Sequence, residues 1–124
     1  MPSSKNTEHW PKHITAKMLS MIRQFDVVPN AILALRTVRP YLLCVQHRVL
    51  DHADTRLMAT LTTERVDQSL PRLHPKFEIA GRMLYLLPQE LLTLPLRVLK
   101  NPVANLEAES FRITAALDLV LTGV

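Results

Sequence analysis

A chain of 124 residues with 48% hydrophobic and 21% charged side chains has the size and balance of one globular domain, which excludes a disordered chain. Its formal charge of +4 is uneven: residues 1–50 hold seven basic and two acidic side chains, residues 51–124 eight basic and nine acidic. Only two glycines, Gly81 and Gly123, occur; phosphate-cradling loops need several, so Walker-type loops, dinucleotide fingerprints and Gly-flanked serine elbows are excluded.

In chain order, the polar Met1–Pro11 lacks the apolar centre of a secretory leader, and residues 1–11 read as a flexible tail ahead of a single domain over 12–124. Trp10 is placed to staple that tail to a first helix. From Lys12 to Phe25, Ile14, Met18, Met21, Ile22 and Phe25 recur at helical spacing. Asn30 is a good N-cap for a second helix from Ala31, which Pro40 stops or kinks. Tyr41–Leu50 is apolar around most of a helical circumference, which places it at the centre of the core. Arg56–Val66 fits helix by Leu57 and Leu61 and strand by Thr60, Thr62 and Thr63. Pro71 and Pro75 make Ser69–Lys76 a loop.

Phe77–Leu87 satisfies both periodicities. Pro88-Gln89-Glu90 looks like the first turn of a helix that Pro95 cuts short. Met83–Leu99 is too short and too polar for a membrane span. Asn101 and Pro102 then open a last helix, in which Val103, Leu106, Ser110, Ile113, Leu117 and Val120 follow a heptad and Gly123 serves as C-cap. Phe111–Leu121 also alternates as a strand would; the Leu, Ala and Glu content favours helix. The fold expected is mainly α, a single small helical domain with a minor β element between Arg56 and Leu87; α+β is the alternative.

Cys44, His47 and Asp51 fall at i, i+3 and i+7, one helix face from which a zinc ion could be held, with His52, Asp54 and His74 nearby in sequence or by folding. The competing reading is a core cysteine, a half-exposed histidine and an aspartate paired with Arg48. A lone cysteine forms no internal disulfide, which suits a reducing, cytoplasmic setting. Cys44 as a nucleophile is disfavoured by its apolar neighbours Leu43 and Val45. Leu87-Pro88-Gln89-Glu90-Leu91-Leu92, with Leu96 and Leu99, resembles the opening of an F-box, the motif that docks on a ubiquitin-ligase adaptor. Pro95 falls where that motif keeps an apolar helical residue, and the family is not carried over.

Two surfaces remain. Lys17, Arg36, Arg39 and Arg48 form a basic set that could contact phosphates, although no two basic residues are adjacent and no aromatic platform accompanies them. Leucine, present 22 times, exceeds what a short chain hides easily, and Leu106, Ile113, Leu117 and Val120 are the expected protein interface. The leading expectation is a small, non-enzymatic, cytoplasmic interaction or regulatory protein that binds a protein partner and self-associates, with no cofactor. The alternatives are a nucleic-acid-binding protein using the basic N-terminal half and a small metalloprotein centred on Cys44, His47 and Asp51.

Overall fold

The computed structural model describes residues 21–124. The tail over residues 1–11 with Trp10, Lys17, and all but the last residues of the helix expected from Lys12 lie outside the described residues.

The protein is built on an antiparallel β-sheet with one C-terminal helix, which corrects the expectation of a mainly helical domain. The strands are β1 (Asp26–Pro29), β2 (Tyr41–Cys44), β3 (Thr55–Thr62), β4 (Lys76–Ile79), β5 (Arg82–Pro95) and β6 (Ala104–Asn105). Their order in the sheet is β4-β5-β3-β2-β1-β6, and every pairing is antiparallel. The helix α1 spans Ser110–Thr122.

The central strands β1, β2 and β3 are buried on both faces, which is why a strand such as β2 reads as a helix, whereas the edge strand β4 alternates exposed Lys76 and Glu78 with buried Phe77 and Ile79. A strand covered on one side alternates apolar and polar residues; one covered on both sides is a continuous apolar run, indistinguishable by period from a buried helix. One face carries Val27, Leu43, Ala59, Leu61, Phe77, Ile79, Leu84 and Leu86 under Ile113 and Ala116 of α1. The other carries Val28, Leu42, Cys44 and Met58 with Ile22, Leu96 and Leu99. Tyr41–Leu50 thus holds β2 and a 3₁₀ turn at Arg48–Leu50, and the helix expected from Ala31 is only a 3₁₀ turn at Leu33–Leu35.

The stretch Phe77–Leu87 divides at Ala80-Gly81. Both residues have positive φ, 50° and 78°, between the paired residues Ile79 and Arg82. This two-residue turn matches the twist of a hairpin. Opposite β3, strand β5 loses its register: Ala59 faces Leu91 and Thr60 faces Leu87. Pro88, Gln89 and Glu90 are extruded there, an irregularity in which a proline without an N–H is tolerated. The helical turn expected at Pro88-Gln89-Glu90, and with it the likeness to an F-box helix, gives way to this bulge.

Helix α1 ends as expected. Gly123 is left-handed at φ 79°, and its N–H donates to the carbonyls of Asp118 and Leu119. It begins later than Asn101 because Ala104 and Asn105 first pair with β1, and a 3₁₀ turn at Glu107–Glu109 follows.

Among the described residues one cation is sealed inside. Arg56 on β3 is fully buried; its Nε donates to the Ile22 carbonyl at 2.9 Å, Nη1 to Ala53 and Thr55 at 2.7 and 2.9 Å, and Nη2 to Asp51 at 3.3 Å. Carbonyl dipoles from Ile22 and from the 51–55 stretch, with an oxygen of the Asp51 carboxylate at 4.0 Å, replace its water shell.

The inward and outward faces of α1 predict opposite responses to truncation. Ile113→Ala is expected to destabilise the fold by about 2–5 kcal/mol in denaturant unfolding, the usual cost of a core cavity. Leu121→Ala, at an exposed position, is expected to stay within about 0.5 kcal/mol of the parent.

Candidate functional site

The β1–β2 connection is closed by hydrogen bonds at both ends. Asn30, buried at the end of β1, donates from Nδ2 to the Arg39 carbonyl at 2.9 Å and accepts the Ile32 N–H on Oδ1 at 2.9 Å. Its backbone N–H meets the Pro40 carbonyl at 3.0 Å, and its own carbonyl accepts Nε of Arg36 at 2.6 Å. One amide therefore closes both ends of the loop. Within it Ile32, Leu33, Leu35 and Val38 are all exposed, Leu33 by 70%.

Arg39 anchors the foot of this loop to the bulge in β5. Its Nε and Nη2 donate to Oε1 and Oε2 of Glu90, both at 2.9 Å, a two-pronged guanidinium–carboxylate pair. Nη1 pairs with Glu64 and reaches Oγ1 of Thr62 at 3.3 Å. The Thr60 hydroxyl donates to Glu90 Oε1 at 2.7 Å. Thr62 donates to the Val38 carbonyl at 3.0 Å and accepts the Glu64 N–H at 3.0 Å. The register loss in β5 makes this possible, because Glu90 is freed from the regular ladder beside Thr60. On the same bulge Gln89 lies 3.2 Å from Nε2 of His74, a buried ring whose Nδ1 has no hydrogen-bond partner among the described residues.

The electrostatics follow the geometry. The Arg39 guanidinium holds the Glu90 carboxyl below its usual range, against the opposing pull of burial and with help from Thr60. Arg39 is in turn held more firmly protonated by Glu90 and Glu64. Burial pushes the Cys44 thiol up to about 11.

The structure scatters most of the residues singled out from sequence. Cys44 ends β2 in the core, His47 accepts the Val49 N–H to cap the 3₁₀ turn, and Asp51 lies beyond that turn. They share no helix face, which corrects the premise of the zinc reading. No group of three His, Cys, Asp or Glu side chains that could hold a metal occurs among the described residues. Arg36 and Arg39 precede β2 whereas Arg48 follows it, so the basic set is divided between the two ends of that strand. Ile113 is buried, Leu106 and Leu117 pack against the core, and Val120 is exposed. In the sequence Thr60, Thr62 and Glu90 stand out only as secondary-structure signals, and Glu64 not at all. Pro88 inside an apolar alternation was the one local sign of the bulge that carries Glu90.

Residues 24–123 match the family model described as CcdB protein, a span that takes in all six strands and α1. Among solved structures, an endoribonuclease from a mycobacterial species is similar with a TM-score of 0.60 and 19% identity, over 81% of this chain and 90% of that one. That likeness is one of fold. No curated protein matches the chain. The expectation of a protein without enzymatic activity is corrected here, since a fold shared with an endoribonuclease gives no ground for excluding one.

Two outcomes test the roles of these residues. Glu90 has a depressed folded-state pKa, so its stabilisation is complete above the ordinary glutamate value, about 4.3, and fades as pH falls through the lower folded value. Glu90→Gln is expected to lower the denaturation midpoint at pH 7 and to flatten its acid dependence; curves of equal steepness for variant and parent would contradict the pairing. Cys44 is expected to resist a thiol-directed disulfide reagent at pH 8 while folded and to react promptly once the protein is unfolded in denaturant.

Proposed function

The chain belongs to the CcdB family, and on that premise we propose that it is a small regulatory protein of toxin type that grips a macromolecular partner through the β1–β2 loop. Proteins of this family dimerise and bind an antitoxin and gyrase, and partners of these kinds are the ones we carry over to this chain. The observation behind the reading is that Ile32, Leu33, Leu35 and Val38 are held out into solvent by the Asn30 and Arg39 contacts. A rigid apolar projection has no use in an isolated molecule, whereas a preformed one spares a complex the cost of ordering it. Self-association is assigned to the exposed end of α1, where Val120, Leu121 and Val124 lie; of the four heptad positions expected to form the interface, Val120 alone faces outward there. Among the described residues no helix is long and apolar enough to cross a membrane; it is the family membership on which the proposal of an action inside the cell rests.

A second reading is RNA binding with cleavage. It is favoured by the meeting of a guanidinium, a carboxylate and a hydroxyl at Arg39, Glu90 and Thr60, and by the fold shared with the mycobacterial endoribonuclease. It ranks second because Arg39 is already neutralised by Glu90 and Glu64, leaving Arg36 and Arg48 to meet phosphates from opposite ends of β2.

Induced expression in a bacterial host is expected to arrest growth, and Leu33→Asp is expected to abolish the arrest and weaken binding to purified gyrase by about tenfold or more, as for a central apolar anchor. Unchanged arrest and affinity would remove the loop from the reading. Cleavage of a mixed RNA substrate by wild type, lost in Glu90→Gln, would promote the second reading instead.

A further inference from the structure

A cleft of about 400 Å³ opens between the β2–β3 connection and the end of β6, lined by Arg23, Gln24, Arg48, Asp51, Asn105 and Glu107. Every one of these side chains is charged or an amide. Pockets for apolar ligands are lined mainly by hydrophobic residues, and no aromatic ring stands here for a nucleobase to stack on. The walls are tied in place. Asn105 donates from Nδ2 to Asp26 Oδ1 at 2.8 Å and to the Gln24 carbonyl at 3.3 Å, and its Oδ1 accepts the Glu107 N–H at 2.9 Å. Across the cleft, the His47 ring accepts the Val49 N–H at 3.0 Å, and the Asp51 N–H donates to the Arg48 carbonyl at 3.0 Å, closing the 3₁₀ turn.

That turn sets two opposite charges side by side without joining them. Side chains three residues apart eclipse in 3₁₀ geometry, so Arg48 and Asp51 share a face. Yet the exposed Arg48 side chain makes no hydrogen bond or ion pair among the described residues. The reason lies beneath: Asp51 is turned onto buried Arg56, its Oδ1 buried 4.0 Å from Nη2 and without a hydrogen-bond partner among the described residues. The side chain is still 31% exposed. The Glu107 carboxylate, also exposed, has no partner among the described residues. A lone anion in the cleft would meet Asp51 and Glu107, and a lone cation would meet Arg23 and Arg48. A small molecule carrying both charges escapes both repulsions.

We propose that this cleft binds a small zwitterion of the amino-acid or dipeptide class, its ammonium set against Asp51 and Glu107 and its carboxylate paired with Arg48. The site shares no residue with the β1–β2 loop and stands whether or not the loop reading does.

The test is equilibrium dialysis of radiolabelled alanylalanine against the full chain. Saturable binding is expected, displaced by unlabelled alanylalanine but not by its N-acetyl or its C-terminal amide derivative, each of which lacks one of the two charges. Affinity is expected to fall by about tenfold in Arg48→Ala and in Glu107→Gln, the usual effect of losing a charged hydrogen-bond partner. Both positions are exposed, and unchanged thermal unfolding will confirm that the variants fold. Leu33→Asp is expected to bind as wild type does, so this site and the loop fail separately. Absence of saturable binding, full displacement by either blocked derivative, or full binding by Arg48→Ala would overturn the proposal. So would displacement by inorganic phosphate as effective as by the dipeptide, because the cleft would then be an anion site.

Discussion

The pairing of Arg39 with Glu90 joins the two irregular parts of this molecule. One partner stands at the foot of a loop that carries four exposed aliphatic side chains; the other stands on residues extruded from the longest strand. Neither feature is self-sufficient. A loop with such side chains gains by folding them back onto the nearest apolar surface, and a strand with three surplus residues has backbone groups without ladder partners. The guanidinium fork fixes both at once, because its two parallel bonds define a plane and not merely a distance. Exposed ion pairs contribute little as a rule. Here the Glu90 side chain is 40% exposed and the Arg39 side chain 22%, and the hydroxyls of Thr60 and Thr62 complete the shell, so the pair works as a positional constraint more than as a source of stability.

How far the sequence could be read depends on which rule each segment obeyed. Gly123 was legible as a helix C-cap because that role is local: a left-handed residue closing the last turn. Pro71 and Pro75 marked their loop for the same reason. Strand β2 was not legible, because Leu42, Leu43 and Cys44 send side chains to two covered faces and leave no alternation to find. Phe77–Leu87 shows the remedy. Its double periodicity is what a hairpin produces when a positive-φ pair falls in the middle, and Gly81 was the sign of it. Propensity pointed to helix in the Leu-rich stretches, and tertiary burial on both sides overrode it.

The site was legible only in part. Arg39 was singled out, but as a phosphate contact, since a sequence displays charges and not their partners. Glu90 lies 51 positions away from it, and no local pattern links them. Cys44, His47 and Asp51 illustrate the converse error. Their spacing is that of a helix face, and it means nothing once β2 ends at Cys44 and a 3₁₀ turn follows. Spacing arguments inherit the secondary structure they assume.

The formal charge of +4 also changes its meaning inside the fold. Arg56 is surrounded by carbonyls in the core, Arg39 is neutralised by two carboxylates, and Arg112 is held by Glu109, a carbonyl and a ring. These guanidiniums serve as multidentate connectors between segments that share no ladder, a task for which lysine lacks the fork. Among the described residues, cations left to the solvent such as Arg48 and Arg72 sit on separate connections and not on one stripe. A polyanion read by counterion release needs many phosphates neutralised together, and a dispersed set does that poorly. The proposed recognition by shape, at the apolar projection of the β1–β2 loop, accords with that dispersal.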